Sequence, residues 1–205
     1  MSETEEKSFE EMTNTELLKL LSGPSRLNRK NAAKTLYARV SENPEKFKKQ
    51  INKFIDALKR PEAQTRWLCL DILSKMVSVD ANACKDAIEG AEEALFDEKT
   101  SLIRVSAIRF LCRYGASSMT RSKEVWPLIK EAIQQFHGEL EFDEMLGFVI
   151  YFASGKLNAD VKKDLGKVIR QNQDSVGGPT EQRFKKILSE LRRQSRATSK
   201  KKGKK

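Results

Sequence analysis

Apolar residues return every third or fourth position along most of this chain. In FKKQINKFIDAL, Phe47, Ile51, Phe54, Ile55 and Leu58 fall on one helical face. In ACKDAIEGAEEALF the same face takes Cys84, Ala87, Ile88, Ala91 and Leu95. In EVWPLIKEAIQQF it takes Val125, Leu128, Ile129, Ala132, Ile133 and Phe136. No segment alternates apolar and polar residues between turn signals, as a half-buried strand would. The pattern predicts an all-α protein.

Self-comparison shows a repeat. Arg29-x-x-Ala32-x-x-x-Leu36 returns as Arg66-x-x-Cys69-x-x-x-Leu73 and as Arg104-x-x-Ala107-x-x-x-Leu111, at spacings of 37 and 38 residues. A fourth copy puts Gly147 at the small position, Tyr151 at the large one and Glu144 in place of the arginine. Each later copy follows one of the amphipathic segments above. The unit is thus helix, short turn, helix, renewed about every 38 residues. Such a pair is too short to bury its apolar face alone, so neighbours must stack into a continuous core. The small residue lets helices approach and the large one fills the layer. The repeated arginine is expected to bond a turn carbonyl or carboxylate of a neighbouring unit.

Boundary signals agree with this division. Thr13-x-x-Glu16 forms a capping box ahead of LLKLL. Asn43-Pro44 reads as an N-cap with proline at the first helical position, and Pro61 opens the helix holding Trp67. Pro127 fits a first turn, where the missing N–H costs little, with Trp126 facing outward. Gly23-Pro24 and Ser175-Val176-Gly177-Gly178-Pro179 are breaks. A last helix is expected from about Thr180 to Arg193.

PEAQTRWLCLDILSKMV and DEKTSLIRVSAIRFLCRYGA carry an acidic turn, then arginine, then small and large apolar residues. In period, helix pairs and turn signals the chain resembles the HEAT repeat family of armadillo-type helical repeats, over roughly residues 14–193. The resemblance implies an α-solenoid of about four to five antiparallel helix pairs. It leaves function open, because such arrays serve many roles.

Charge is spread unevenly. The formal net charge is +10, yet residues 1–16 carry six Glu against one Lys, and residues 183–205 carry eleven Lys or Arg against one Glu. These ends set the expected organisation: a flexible acidic segment over 1–12, the solenoid over 13–194 and a disordered basic tail over 195–205. Cys69, Cys84 and Cys112 lie among helical residues without a CxxC pair, so they read as small hydrophobes in a reducing compartment. No stretch approaches a membrane span and the N-terminus is acidic, which points to the cytoplasm.

The opposite side of the second helices carries the candidate chemistry. With the small residue as origin and 100° per residue, Lys30, Lys34 and Tyr37 share that side in the first copy. Trp67, Asp71 and Ser74, with Lys75 beside them, share it in the second. Val105, Arg109 and Cys112, with Arg113 alongside, share it in the third. The fourth gives Met145, Val149 and Phe152, which are expected to pack under the final helices. In a solenoid of this kind the second helices line the concave surface. Lys30, Lys34, Tyr37, Trp67, Asp71, Lys75, Arg109 and Arg113 then form a basic and aromatic ladder. Cations beside rings suit protein hot spots, and they also suit phosphates and bases.

The expected function is a non-catalytic scaffold or adaptor that binds a protein partner. The alternative is a nucleic-acid-binding protein, with Lys200, Lys201, Lys202, Lys204 and Lys205 adding affinity by counterion release. A third reading comes from a class of DNA glycosylases built from HEAT-like repeats, which uses a Trp and an Asp on a basic concave surface. Trp67 and Asp71, one turn apart, resemble that pair in outline, with Asp71 stabilising positive charge on the sugar. Other catalysis lacks a motif. His137 is the single histidine, and the acidic cluster Glu139, Glu141, Asp143 and Glu144 reads as a solvated helix start. No metal set, cofactor fingerprint or membrane partner is expected.

Overall fold

A computed structural model describes residues 8–97, 100–172 and 177–202, with side chains as far as Gln194. Ten α-helices account for most of these residues, and no strand occurs among them. They are α1 (Asn14–Ser22), α2 (Arg26–Glu42), α3 (Ile51–Ala57), α4 (Ala63–Asp80), α5 (Ile88–Leu95), α6 (Ser101–Ala116), α7 (Met119–Gln135), α8 (Phe142–Ser154), α9 (Ala159–Gln171) and α10 (Gly178–Lys202). Packing divides the chain into a first unit ending at Ala107 and a second beginning at Ile108, within α6.

In the first unit side-chain caps start α1 and α2. The Thr13 hydroxyl accepts the Glu16 N–H at 3.3 Å while the Glu16 carboxylate accepts the Thr13 N–H at 2.6 Å. This is the expected capping box. The Ser25 hydroxyl caps α2 by accepting the Asn28 N–H at 3.3 Å. Two of the amphipathic segments begin as 3-10 helix: Pro44–Gln50 precedes α3 and Lys85–Ala87 precedes α5. Asn43 does stand before Pro44, but its side chain makes no capping bond. Pro61 lies one residue outside α4, whose N-cap is Glu62. Around this frame Leu17, Leu36, Phe47, Phe54, Leu70 and Leu73 are fully or almost fully buried. The Phe47 and Phe54 rings meet at 6.4 Å. Cys69 and Cys84 are buried free thiols here, and burial pushes the Cys69 thiol far above its ordinary value.

The second unit departs from expectation in three places. First, α7 begins at Met119, capped by the Ser118 hydroxyl, which accepts the Arg121 N–H at 3.2 Å. Pro127 therefore lies inside the helix, not in its first turn, and the carbonyl four residues before it has no helical donor. Trp126 faces inward: it is 8% exposed, stacks on Phe152 at 6.3 Å and donates from Nε1 to Asp164 at 3.0 Å. Second, Tyr151 is 50% exposed and fills no layer. The buried stripe of α8 is Phe142, Met145, Leu146, Val149, Phe152 and Ala153. A strict 38-residue step from Ala107 and Leu111 reaches Met145 and Val149, so the fourth copy lies two residues earlier than Gly147 and Tyr151 imply. Met145, Val149 and Phe152 are buried as expected, on a helix that packs with α10. Third, the α10 backbone continues to Lys202, past Arg193, because no glycine or proline interrupts it before Gly203.

One close approach fixes the turn after α8. A Cβ on Gly155 would stand 2.4 Å from the Ala116 Cβ and 2.6 Å from its backbone. The Lys156 N–H donates to the Ala116 carbonyl at 2.8 Å in the same place. Cys112, like the other two cysteines, is buried and free.

Candidate functional site

The repeated arginine shapes the ends of the second helices. Arg29 is 7% exposed and pairs through Nε with Glu62, its Nη2 reaching the other carboxylate oxygen at 3.0 Å. Its Nη1 donates to the Gly23 and Pro24 carbonyls, each at 2.8 Å. Arg66 reaches the Asp97 carboxylate at 3.1 Å, and Arg104 the Asp97 carbonyl at 2.9 Å. Arg29 and Arg66 thus reach a carboxylate of the next copy, as expected, while the carbonyl bonds of Arg29 and Arg104 go to the turn of their own copy. Glu98, the second acidic residue of that turn, lies outside the described residues. The Arg29 hydrogen bonds are the main cause that holds the Glu62 carboxyl below the usual range, against burial, which raises it.

In the first unit α2 packs against α4, and these two helices carry the ladder residues of the first two copies. Lys75 on α4 places its ammonium 5.2 Å from the centre of the Tyr37 ring on α2. Lys30, Tyr37, Trp67 and Lys75 are half-buried and Lys34 is exposed. Asp71 and Ser74 differ from expectation. They are only 9% and 3% exposed, because α2, α3 and the Pro44–Gln50 turn all pack on α4 and leave it little free surface. The Ser74 hydroxyl donates to the Asp71 carbonyl at 2.8 Å.

In the second unit the ladder pairs cations with rings of α8. The Arg109 guanidinium stands 4.8 Å from the centre of the Phe148 ring, and that of Arg113 stands 5.4 Å from the Tyr151 ring. Arg109 also meets Glu144 at 3.6 Å. Both arginines are half-buried and Cys112 is buried, as is Val105 near the end of the first unit. Phe148 and Tyr151 are ladder residues that sequence reasoning missed. The period held the signal: Tyr37, Lys75, Arg113 and Tyr151 are each 38 residues apart. That position thus holds a ring, two cations and a ring in succession, and signals Tyr151 but not Phe148; each cation–ring pair gains about 0.5–1 kcal/mol at such exposure.

Among the described residues, no carboxylate pairs with Lys30, Lys34, Lys75 or Arg113. Of the acidic cluster, Asp143 accepts from Thr180 at 2.7 Å and lies 3.8 Å from Arg183, while Glu144 meets Arg109. The His137 ring lies 5.3 Å from that of Phe142. Lys200, Lys201 and Lys202 fall on the last turn of α10, but their side chains, like Lys204 and Lys205 altogether, lie outside the described residues.

No protein-family model matches the sequence. No curated protein matches it either. Solved structures do match. An engineered protein aligns with a TM-score of 0.68 at 16% identity, over 86% of this chain and 78% of that one. A designed armadillo repeat protein in complex with the peptide (KR)4 aligns at 0.63 and 16%, over 85% and 80%. In fold the chain is a helical-repeat protein of the HEAT/armadillo type. Computationally designed armadillo repeat proteins for modular peptide recognition also match, with a TM-score of 0.57 at 16% identity over 85% of this chain and 80% of that one. At such identity the likeness concerns the all-α solenoid architecture alone. No described helix is long and apolar enough to cross a membrane.

Proposed function

We propose that this repeat protein is a non-catalytic scaffold that binds an acidic segment of a protein partner on its ladder of cations and rings. The carrying observation is that second helices pair Lys75 with Tyr37, Arg109 with Phe148 and Arg113 with Tyr151 at 4.8–5.4 Å. A ring below a guanidinium or ammonium fixes its position while leaving its charge for a ligand. Two of the neighbours named above support a peptide ligand. One of them holds a peptide of lysine and arginine. Lys30, Lys34, Lys75 and Arg113, which pair with no carboxylate among the described residues, call for the opposite sign. The burial of Asp71 also favours binding over the glycosylase-like reading, since a carboxylate that stabilises a sugar cation must be open to the substrate. Three buried free thiols fit a cytoplasmic setting.

The test is a titration of labelled Glu-rich peptide, duplex DNA and single-stranded RNA in parallel across a salt series. R109E with R113E should weaken peptide binding by about tenfold or more, and Trp67→Ala or Tyr37→Ala should weaken it at every salt concentration. Tighter binding of either nucleic acid than of the peptide, lost in R109E/R113E, would replace the protein partner with a nucleic acid.

A further inference from the structure

A second surface, remote in sequence from most of the ladder, carries its own signature. A groove of about 740 Å³ opens in the second unit between α9 and α10. Its floor is apolar: Leu157 is buried and Leu188 and Leu191 are each 8% exposed, while the Arg170 guanidinium lies over Gly166, 3.2 Å from where a Cβ would stand. Met119, 61% exposed, also lines it. The rim is wholly cationic. Lys162, Lys163 and Arg170 come from α9 and Arg192 from α10. Among the described residues none of these four pairs with a carboxylate, and no acidic side chain lines the groove. The α9 stripe Ala159, Lys162, Lys163, Gly166 and Arg170 follows helical spacing, so one face of α9 supplies three rim charges while α10 supplies Leu188 and Leu191 to the floor.

We propose that this groove docks an acidic amphipathic helix of a partner protein. Two helices separated by an apolar trough accept a third helix through anchors at i, i+3, i+4 and i+7. The four rim cations select acidic residues on either side of that apolar stripe. A nucleic acid would meet the same charges but find no ring on which to stack its bases, because no aromatic side chain lines the groove. A lipid surface would reach Met119 but not the recessed Leu188 and Leu191. This site is independent of the ladder and stands or falls without it.

The experiment uses the full chain and a helix-locked probe peptide with Leu at i, i+3, i+4 and i+7 and Glu on the flanks. Binding is read by fluorescence anisotropy. Comparison ligands are the same peptide with Lys for Glu, the same peptide with Ser for Leu, a single-stranded oligonucleotide, and phosphatidylserine vesicles. K162E with K163E should weaken the Leu/Glu peptide by about tenfold or more. Met119→Asp, at an exposed first-turn position that an acid suits, should weaken it several-fold with an unchanged melting temperature. R109E with R113E should change it less than about twofold. The proposal is overturned by equal binding of the Ser-substituted peptide, by tighter binding of the oligonucleotide or vesicles, or by indifference to K162E/K163E and Met119→Asp. Loss in R109E/R113E alone would also overturn it and assign the peptide to the ladder.

Discussion

At the scale of single residues, one position in the repeat changes its work as its surroundings change. Arg29 and Glu62 are buried together, and three further hydrogen bonds to Glu62, Gly23 and Pro24 hold the guanidinium. Arg66 and Asp97 make one shorter-reaching contact with 14% of each side chain exposed. Removing one partner of a buried pair strands the other charge, so Arg29→Ala should cost about 3–5 kcal/mol. Arg66→Ala, with water able to reach Asp97, should cost about 1 kcal/mol. Urea denaturation of the two variants measures both, and equal losses would show that burial does not set the difference. The pair also imposes a pH dependence. The Glu62 carboxyl is held below its ordinary value, foremost by the Arg29 hydrogen bonds. A depressed folded-state value means that the protein gains stability above the unfolded-state value of about 4.3 and loses it as pH falls through the folded value. Glu62→Gln should therefore lower the urea midpoint at neutral pH and flatten its decline in acid. A variant whose midpoint falls as steeply as that of the parent would assign the acid sensitivity to other carboxylates.

At the scale of elements, the repeat was legible wherever one residue type held one position. The Arg–small–large pattern placed α2, α4 and the start of α6, and their buried residues followed. The reading slipped on α8, where Gly147 and Tyr151 have the right sizes and spacing but the wrong register. Size alone cannot tell a core tyrosine from one beneath an arginine, whereas the strict 38-residue step does. Asp71 was misplaced for a related reason: a helical wheel gives the side of one helix, and packing of three other segments decides whether that side is open. The α9/α10 groove was missed because its cations resemble an ordinary solvated face until α10 is set beside them. Pro127 was misread because the apolar run begins at Val125, while the helix begins at the Ser118 cap. An exposed proline inside α7 removes one helical hydrogen bond and crowds the preceding turn. Pro127→Ala should stabilise the protein by about 2 kcal/mol and raise the urea midpoint. A lower midpoint would mean that Pro127 serves the packing of Trp126 on Phe152 and Asp164.

At the scale of the whole molecule, charge decides how a partner arrives and local contacts decide how long it stays. The chain carries a net +10, and residues 195–205 supply six of its cations. An acidic peptide should thus associate quickly at low ionic strength and more slowly as the Debye length shrinks from about 30 Å to about 8 Å. Dissociation should respond little to salt, because the cations of the ladder sit over rings and keep their positions. A chain ending at Gln194 separates the two effects. It keeps the Gln194 amide bonds to the Ala153 and Gly155 carbonyls, each at 2.6 Å, so α10 stays tied to the end of α8. Its association rate should fall several-fold at low salt while its dissociation rate stays unchanged. R109E with R113E should do the reverse in part, raising the dissociation rate of the full chain by about tenfold. Stopped-flow fluorescence on a labelled Glu-rich peptide resolves the two rates. If the shortened chain loses all binding, the peptide was held by the lysines beyond Gln194, and the ladder contributes nothing that a simple polycation would not.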